Sequence, residues 1–385
     1  MKKKSIFSLK IYLPVLLFVF IFFSCTTADK KTTYSSVADD YKLKAEVIAD
    51  STKITMPFAM AFLPNGNMLV TDRPYGKILV LDVATGKTTD IKNVPKTLEK
   101  SGAGILDVIV HPDYKENGWI YFSYAEMTKD SLSTLVVERA KLNEDKMVSA
   151  EKFFTVLPYY KEPNHYGGRL VLKDGYLFIT MGERYDLKDS AQTLSNHLGK
   201  VMRIHEDGRI PSDNPFVNTP NAKPEIWSFG HRNPQGLAIH PFTGDLWENE
   251  HGPKGGDEIN ILTPKLNYGW PVICHGIDYD GKPIGAGIKE KEGMEQPLYF
   301  YTPSIAPSGM MFYTGDKFPK WKNNLFIGAL GLRHLNRLVV ENNKVVREER
   351  LLKELNRRVR CITQGPDGYI YVGVDGGMIL RLMPE

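Results

Sequence analysis

Cysteine is scarce in this chain, with three residues in 385, at positions 25, 274 and 361. No two of them have the spacing of metal ligands, so a disulfide framework and a thiolate zinc centre are both excluded. Cys274 and Cys361 read instead as two separate, partly buried thiols. Long amphipathic helical patterns are missing as well. Nor does the body of the chain carry an excess of charge. Lys2, Lys3, Lys4 and Lys10 are the only charged residues among the first 24, and without that segment the formal net charge falls from +4 to 0. That balance leaves no basic face for nucleic acid, and no nucleic-acid partner is expected.

The chain has one strongly apolar run, from Ile11 to Phe23, behind those lysines and just before Ser24 and Cys25. It is too short to span a bilayer comfortably and has the layout of a secretory signal. A small residue directly before a cysteine suggests a lipoprotein-type signal over residues 1–24, with Cys25 as the lipidated N-terminus. Phe22 stands where such boxes usually carry Leu. An ordinary secretory signal and an uncleaved anchor are the alternatives. Residues 25–40 are polar and read as a tether. The expected location is therefore the periplasm or an outer surface, with contact to a membrane only through the lipid.

The remainder, residues 41–385, is rich enough in apolar residues to bury a sizeable core. It repeats a phrase, in which a Pro or Asp-Gly turn leads into a strand with β-branched and aromatic residues at alternate positions. The copies lie at 63–82, 111–125, 172–184, 240–252, 318–330 and 365–382. Six copies over this length give a period of about 57 residues, near the long end of propeller repeats. The spacing predicts one all-β domain, a six-bladed β-propeller, with functional loops on one face. A pair of β-sandwiches is the structural alternative, which the even spacing disfavours.

Four loops interrupt the repeat with residues that strands do not need. "NHYGGRL" (164–170) offers His165 as a proton acceptor, and the strand that follows ends at Glu183, a carboxylate able to orient an imidazole. "GHRNPQG" (230–236) places Arg232 and Asn233 before a proline turn, where charge and amide donors suit an anion or a quinone oxygen. "HGPKGGDEIN" (251–260) combines hard oxygen donors with Gly252 and Pro253, a composition suited to Ca2+, which takes roughly six to eight oxygens. Tyr268 and Asp278 follow downstream. "NRRVRC" (356–361) alternates Arg358 and Arg360 along a strand, so both face one side and call for an anion between them. Each loop also has a plainer explanation: a hydrogen-bonding histidine, an inter-blade ion pair, a solvated acidic turn, or a salt-bridge face.

Taken together with "PEIWSFGHRNPQGLA", "EHGPKGGDEIN", "NYGWP", "PSIAPSGMMFYTGDKFPKW", "LFIGAL" and "QGPDGYIYV", the chain from about residue 45 to its end resembles the soluble glucose dehydrogenase and aldose sugar dehydrogenase family. That family uses pyrroloquinoline quinone (PQQ) and calcium on a six-bladed propeller. The resemblance implies oxidation of an aldose at its anomeric carbon to a lactone. His165 would be the general base, supported by Glu183, and the hydride would pass to PQQ. Arg232 and Asn233 would sit at the quinone oxygens and Arg358 and Arg360 at the far side of the cofactor. The carbonyls of Gly252 and Pro253 would bind the catalytic calcium, with Asp257 behind them. Glu258, the Tyr268 carbonyl and Asp278 would form a second, structural calcium site.

Three positions depart from the family pattern. Gly331 stands where a lysine is frequent, with Arg333 two residues on as a substitute. Gly102 stands where a glutamine is frequent, and Asn164 where an acid often precedes the base. A propeller that binds a carbohydrate or protein partner without catalysis is an alternative, as is a calcium-dependent lactonase. Keeping the base and the arginines argues against the former, and paired arginines have little use for a neutral lactone. The resemblance names no electron acceptor.

Overall fold

The computed structural model describes residues 32–100 and 102–385; the signal segment 1–24 and Cys25 lie outside the described residues. Six antiparallel sheets carry the chain, five of four strands and one of five. Among the described residues, helix is confined to one turn at Tyr114–Asn117 and four short 3-10 segments. The expected six-bladed β-propeller is therefore the observed fold.

Five blades follow one another in sequence, spanning residues 57–90, 105–155, 170–229, 234–301 and 307–351. In each, the first strand is innermost, and the first strands pack against one another around the axis. The repeated phrases fall on the hairpin between the first and second strands of their blades. The sixth blade joins both ends of the described chain. Its inner strands are Val359–Gln364, Ile370–Val374 and Met378–Pro384, and Lys42–Ala49 pairs with the last of these.

Beyond it, Thr33–Val37 adds an edge strand paired with Lys42–Ala49. Part of the expected tether, residues 25–40, is thus sheet. Its composition is polar because an edge strand faces water, and four of its five residues are exposed.

The core lies between the sheets, where Trp247, Trp321, Tyr121 and Phe122 are fully buried. Cys274 and Cys361 are both buried and free. Burial pushes their thiols up to about 11 and about 12, so neither is a nucleophile at neutral pH.

In a blade, the start of the first strand and the end of the second lie at the same end of the sheet. That end is the mouth on which the four loops converge. Five of the six inner strands also break register near their start, at Pro57/Ala59, Ile105/Val108, Pro234/Gly236, Pro307/Met310 and Val359/Cys361. A bulge re-aims the extra residue out of the alternating pattern. Four residues skipped in this way, Phe58, Leu106, Gln235 and Arg360, line the cleft at the mouth.

Candidate active site at the propeller mouth

His165 comes from the loop before blade three and Glu183 from the loop after that blade's second strand, which is how residues 18 apart meet. His165 Nδ1 lies 2.6 Å from Glu183 Oε2, and the same oxygen accepts the Tyr185 N–H at 2.7 Å. A carboxylate oxygen that accepts both bonds places the hydrogen on Nδ1 and leaves Nε2 as the basic nitrogen. The approach is close. A Cβ on Gly182 would stand 2.4 Å from the His165 carbonyl oxygen and 2.9 Å from Asn233 Oδ1. His165 itself has φ of 51°, a left-handed conformation that ordinary residues avoid.

The imidazole lines a cleft of about 220 Å3 with Asn164, Asn233, Gln235, Arg358 and Arg360. Glu183 lines the adjoining cavity of about 240 Å3 with Arg232, Pro253, Trp270 and Asp278. The His165–Glu183 pair thus stands at the junction of two cavities.

Arg232 and Asn233 are held by their backbone. Both N–H groups donate to Glu250 Oε2, that of Asn233 at 3.1 Å. Arg232 Nη1 donates to the His251 and Gly252 carbonyls at 3.0 and 2.9 Å, while its buried Nε has no partner among the described residues. Asn233 Oδ1 accepts from Gly167 N–H and Gln235 Nε2, both at 3.2 Å.

Arg360 donates to both oxygens of Asp375 at 2.7 Å, and Arg358 reaches the same carboxylate at 3.5 Å. The plainer salt bridge is present, and one carboxylate faces two guanidiniums.

The 251–260 loop folds back on itself so tightly that a Cβ on Gly252 would meet Gly256 backbone atoms at 2.3 Å. Asp257 pins it. This buried carboxylate accepts the N–H groups of Gly252, Ile305 and Ala306 at 2.9, 2.8 and 2.9 Å and the Ser304 hydroxyl at 2.7 Å. Burial raises its pKa. Asp257 and Glu258 alternate on one strand and so face opposite sides.

Glu258 sits opposite Glu250 in register, beside Asn260, which donates to Glu258 at 3.3 Å and to Glu248 at 2.8 Å. Burial, then the charge of Glu250, drives the Glu248 and Glu258 carboxyls well above the usual carboxylate range. Two buried atoms here, His231 Nδ1 and Glu248 Oε2, have no hydrogen-bond partner among the described residues. His231, Glu248 and Glu250 offer ligand atoms within 4.8 Å of one another, and Tyr268 stacks on the His231 ring at 4.7 Å. So many acids in one buried place need protons or a cation.

Of the expected set of Glu258, Tyr268 and Asp278, Glu258 lies with Glu248 and Glu250 near Tyr268, and Asp278 lines the cavity that Glu183, Arg232 and Pro253 share. The residues after Trp270 double back, and Ile277 bridges Lys254 of the 251–260 loop. Arg333 does not take the place of a lysine in the cleft. It is exposed and donates to Asn356 Oδ1 at 3.2 Å. Gly102 lines the cleft, yet a Cβ there would meet the Pro163 carbonyl at 2.9 Å, so the backbone of 163–164 occupies that space.

Three further residues of the mouth are not singled out by sequence: Arg73 and Asp375, which sit in ordinary strand phrases, and His251, the first residue of the 251–260 loop. Each directly follows the second strand of its blade, with Glu183 one residue further along in its own, and that shared position is the signal that finds them. His251 Nε2 donates to the Pro307 carbonyl at 2.7 Å. Burial, reinforced by Arg232, pushes its pKa down to about 3, so it is a neutral imidazole in the cleft.

The Glucose / Sorbosone dehydrogenase family model matches residues 54–381. The aldose sugar dehydrogenase YliI of Escherichia coli is 40% identical over 350 residues, covering 89% of this chain and 93% of that protein. The crystal structure of the soluble aldose sugar dehydrogenase of E. coli, in its apo form, superposes with a TM-score of 0.85 at 39% identity, covering 89% of this chain and all of the other. Quinoprotein glucose dehydrogenase B of Acinetobacter calcoaceticus is 27% identical over 406 residues, 84% of each chain. This chain therefore belongs to the glucose/sorbosone dehydrogenase family.

Proposed function

We propose that the protein oxidises an aldose sugar at its anomeric carbon to the lactone, with PQQ and calcium held at the propeller mouth. The observation that carries this reading is His165, fixed through Nδ1 by Glu183, facing a cleft whose arginines outnumber its carboxylates. The quinoprotein and aldose sugar dehydrogenase names of its relatives support the choice of cofactor and substrate class.

The residues present suit both groups. PQQ is a tricarboxylate, and Arg358 and Arg360 share only Asp375, which leaves positive charge for an anion. For the catalytic calcium, the Gly252 and Pro253 carbonyls are the donors, with Gly252 sharing its oxygen with Arg232. The carboxylates of Glu248, Glu250 and Glu258 suit a second cation by charge, and Glu248 Oε2 has no hydrogen-bond partner among the described residues.

Bound PQQ supplies the hydride acceptor. The chain's own part is to move the proton and place the charges. His165 Nε2 takes the proton of the anomeric hydroxyl, and the carboxylate of Glu183 stabilises the imidazolium that forms. Arg232, fixed between the His251 and Gly252 carbonyls, holds positive charge where negative charge develops. The buried stack of Arg232 on Trp270, 5.1 Å from the ring, keeps that charge out of bulk water.

Purified protein reconstituted with PQQ and Ca2+ should reduce a dye when given an aldose and should change the absorption spectrum of PQQ on binding. No dye reduction across a broad panel of aldoses, together with no spectral change, sinks the proposal.

A further inference from the structure

We infer that Arg73 is a third guanidinium of the anion-binding cleft and contacts a carboxylate of the cofactor there. The inference rests on the quinone reading above and adds a residue to it.

Arg73 lines the same cleft as His165, Arg358 and Arg360. Its place is built. The Asp72 carboxylate accepts the Thr55 and Met56 N–H groups at 3.0 and 2.8 Å, and the Arg73 N–H donates to the Met56 carbonyl at 3.2 Å. Pro74 then stiffens the 3-10 turn Arg73–Tyr75. From the next blade Gly104, with φ of 107°, makes room. A Cβ there would stand 2.1 Å from the Arg73 carbonyl oxygen and 3.1 Å from its Cγ. The guanidinium lies over the Phe58 ring, 5.4 Å from its centroid.

What the guanidinium lacks is a partner. Other arginines of the interior each have side-chain hydrogen bonds, although Arg169 Nη2 and Arg232 Nε are unpaired among the described residues. Arg169 donates to the Gln235 and Phe58 carbonyls, Arg184 donates to Asn164, Ser133 and Tyr166, Arg203 pairs with Asp213 and Asn214, and Arg337 pairs with Glu349, Asp40 and Asn324. Arg73 makes no side-chain hydrogen bond and no ion pair among the described residues.

Its neighbours make its position worse, not better. Burial, followed by the like charge of Arg360, pushes its pKa down to about 9, with Arg169 and Arg358 adding to the repulsion and only Asp375 opposing it. A guanidinium still keeps its proton at neutral pH, so the cost is carried as crowded positive charge. Arg358 and Arg360 together retain one net charge over Asp375, and Arg73 makes it two. A flat ligand with several carboxylates relieves that crowding at one stroke, and a single small anion relieves it only in part. The site is therefore fitted to a polycarboxylate such as PQQ.

The test uses the full chain with Ca2+, titrating PQQ while following quenching of tryptophan fluorescence. Arg73→Gln should weaken PQQ binding about tenfold or more, the scale of one charge-assisted hydrogen bond lost. Arg73→Lys should recover part of the loss by restoring the charge without the fork. The cofactor-free Arg73→Gln protein should melt no lower than the parent, because a repelled charge has been removed. Equal PQQ affinity in Arg73→Gln and the parent overturns the inference while leaving the quinone reading intact. A lowered melting temperature with unchanged PQQ affinity assigns Arg73 to the fold and overturns it as well. A parent protein that fails to bind PQQ brings down both readings.

Discussion

The mouth and the channel beneath it are built from the same six inner strands, yet they differ in kind. The channel holds the larger cavity, about 340 Å3, and its walls are mostly backbone and apolar side chains such as Met60, Val108, Leu237, Met310 and Ile362. Its charged residues, Asp107 and Arg169, spend their charge on the chain. Asp107 accepts the Leu170 N–H at 2.8 Å, and Arg169 lies 3.6 Å from it while donating to two carbonyls. The mouth holds only about 220 Å3, but three arginines line it with Asp375 as their one paired carboxylate, and Arg73 has no side-chain partner among the described residues. Size does not mark the site. What marks it is polar chemistry that the fold leaves without an internal use.

The sharpest way to break this contrast is at the base. His165→Ala should lower turnover by about 100-fold or more while PQQ still binds and the melting temperature stays near that of the parent. A variant with full activity would remove the base from His165. The channel should respond in the opposite way. Met310→Ala deletes buried apolar volume and should cost about 2 kcal/mol of stability, read as a lowered melting temperature, with kcat/KM unchanged. A large drop in kcat/KM there would mean that the channel takes part in the chemistry.

A third prediction concerns a buried cation that the fold does satisfy. Lys200 donates to the carbonyls of Ser190, Ala191 and Leu198 at 3.0, 3.0 and 2.6 Å, and burial pushes its pKa down to about 7. Its folded pKa lies below the unfolded 10.5, so the penalty for the buried charge is full below pH 7 and fades as pH rises toward 10.5. Stability should therefore gain up to ~1.4 kcal/mol per pH unit from this group across that window. Lys200→Met should flatten that part of the pH–stability curve, and an unchanged slope would show that the lysine titrates elsewhere.

The propeller was legible because each blade repeats a turn and an alternating strand, signals local enough to read residue by residue. The strand at Thr33–Val37 was not, since nothing in a polar edge strand distinguishes it from a tether until its partner is known. At the mouth, His165, Glu183, Arg232, Asn233, Arg358 and Arg360 were legible as unusual loops. Arg73 and Asp375 sit in ordinary phrases and His251 opens a loop read for its oxygen donors, and only the hairpin geometry brings the three to the same end. Simple alternation put Arg358 and Arg360 on one face. In the structure the bulge between Val359 and Cys361 re-aims Arg360, a displacement that composition does not reveal. The path of the loop after Trp270, which brings Ile277 against Lys254, is not legible either, because it is set by what the loop packs against.

The sixth blade joins residues from both ends of the described chain, and Arg358, Arg360 and Asp375 belong to it. If PQQ is held as proposed, its far side rests on the blade that joins the two ends of the described chain, so cofactor binding and the closing of the ring would draw on the same strands, like a clasp fastened by what it carries.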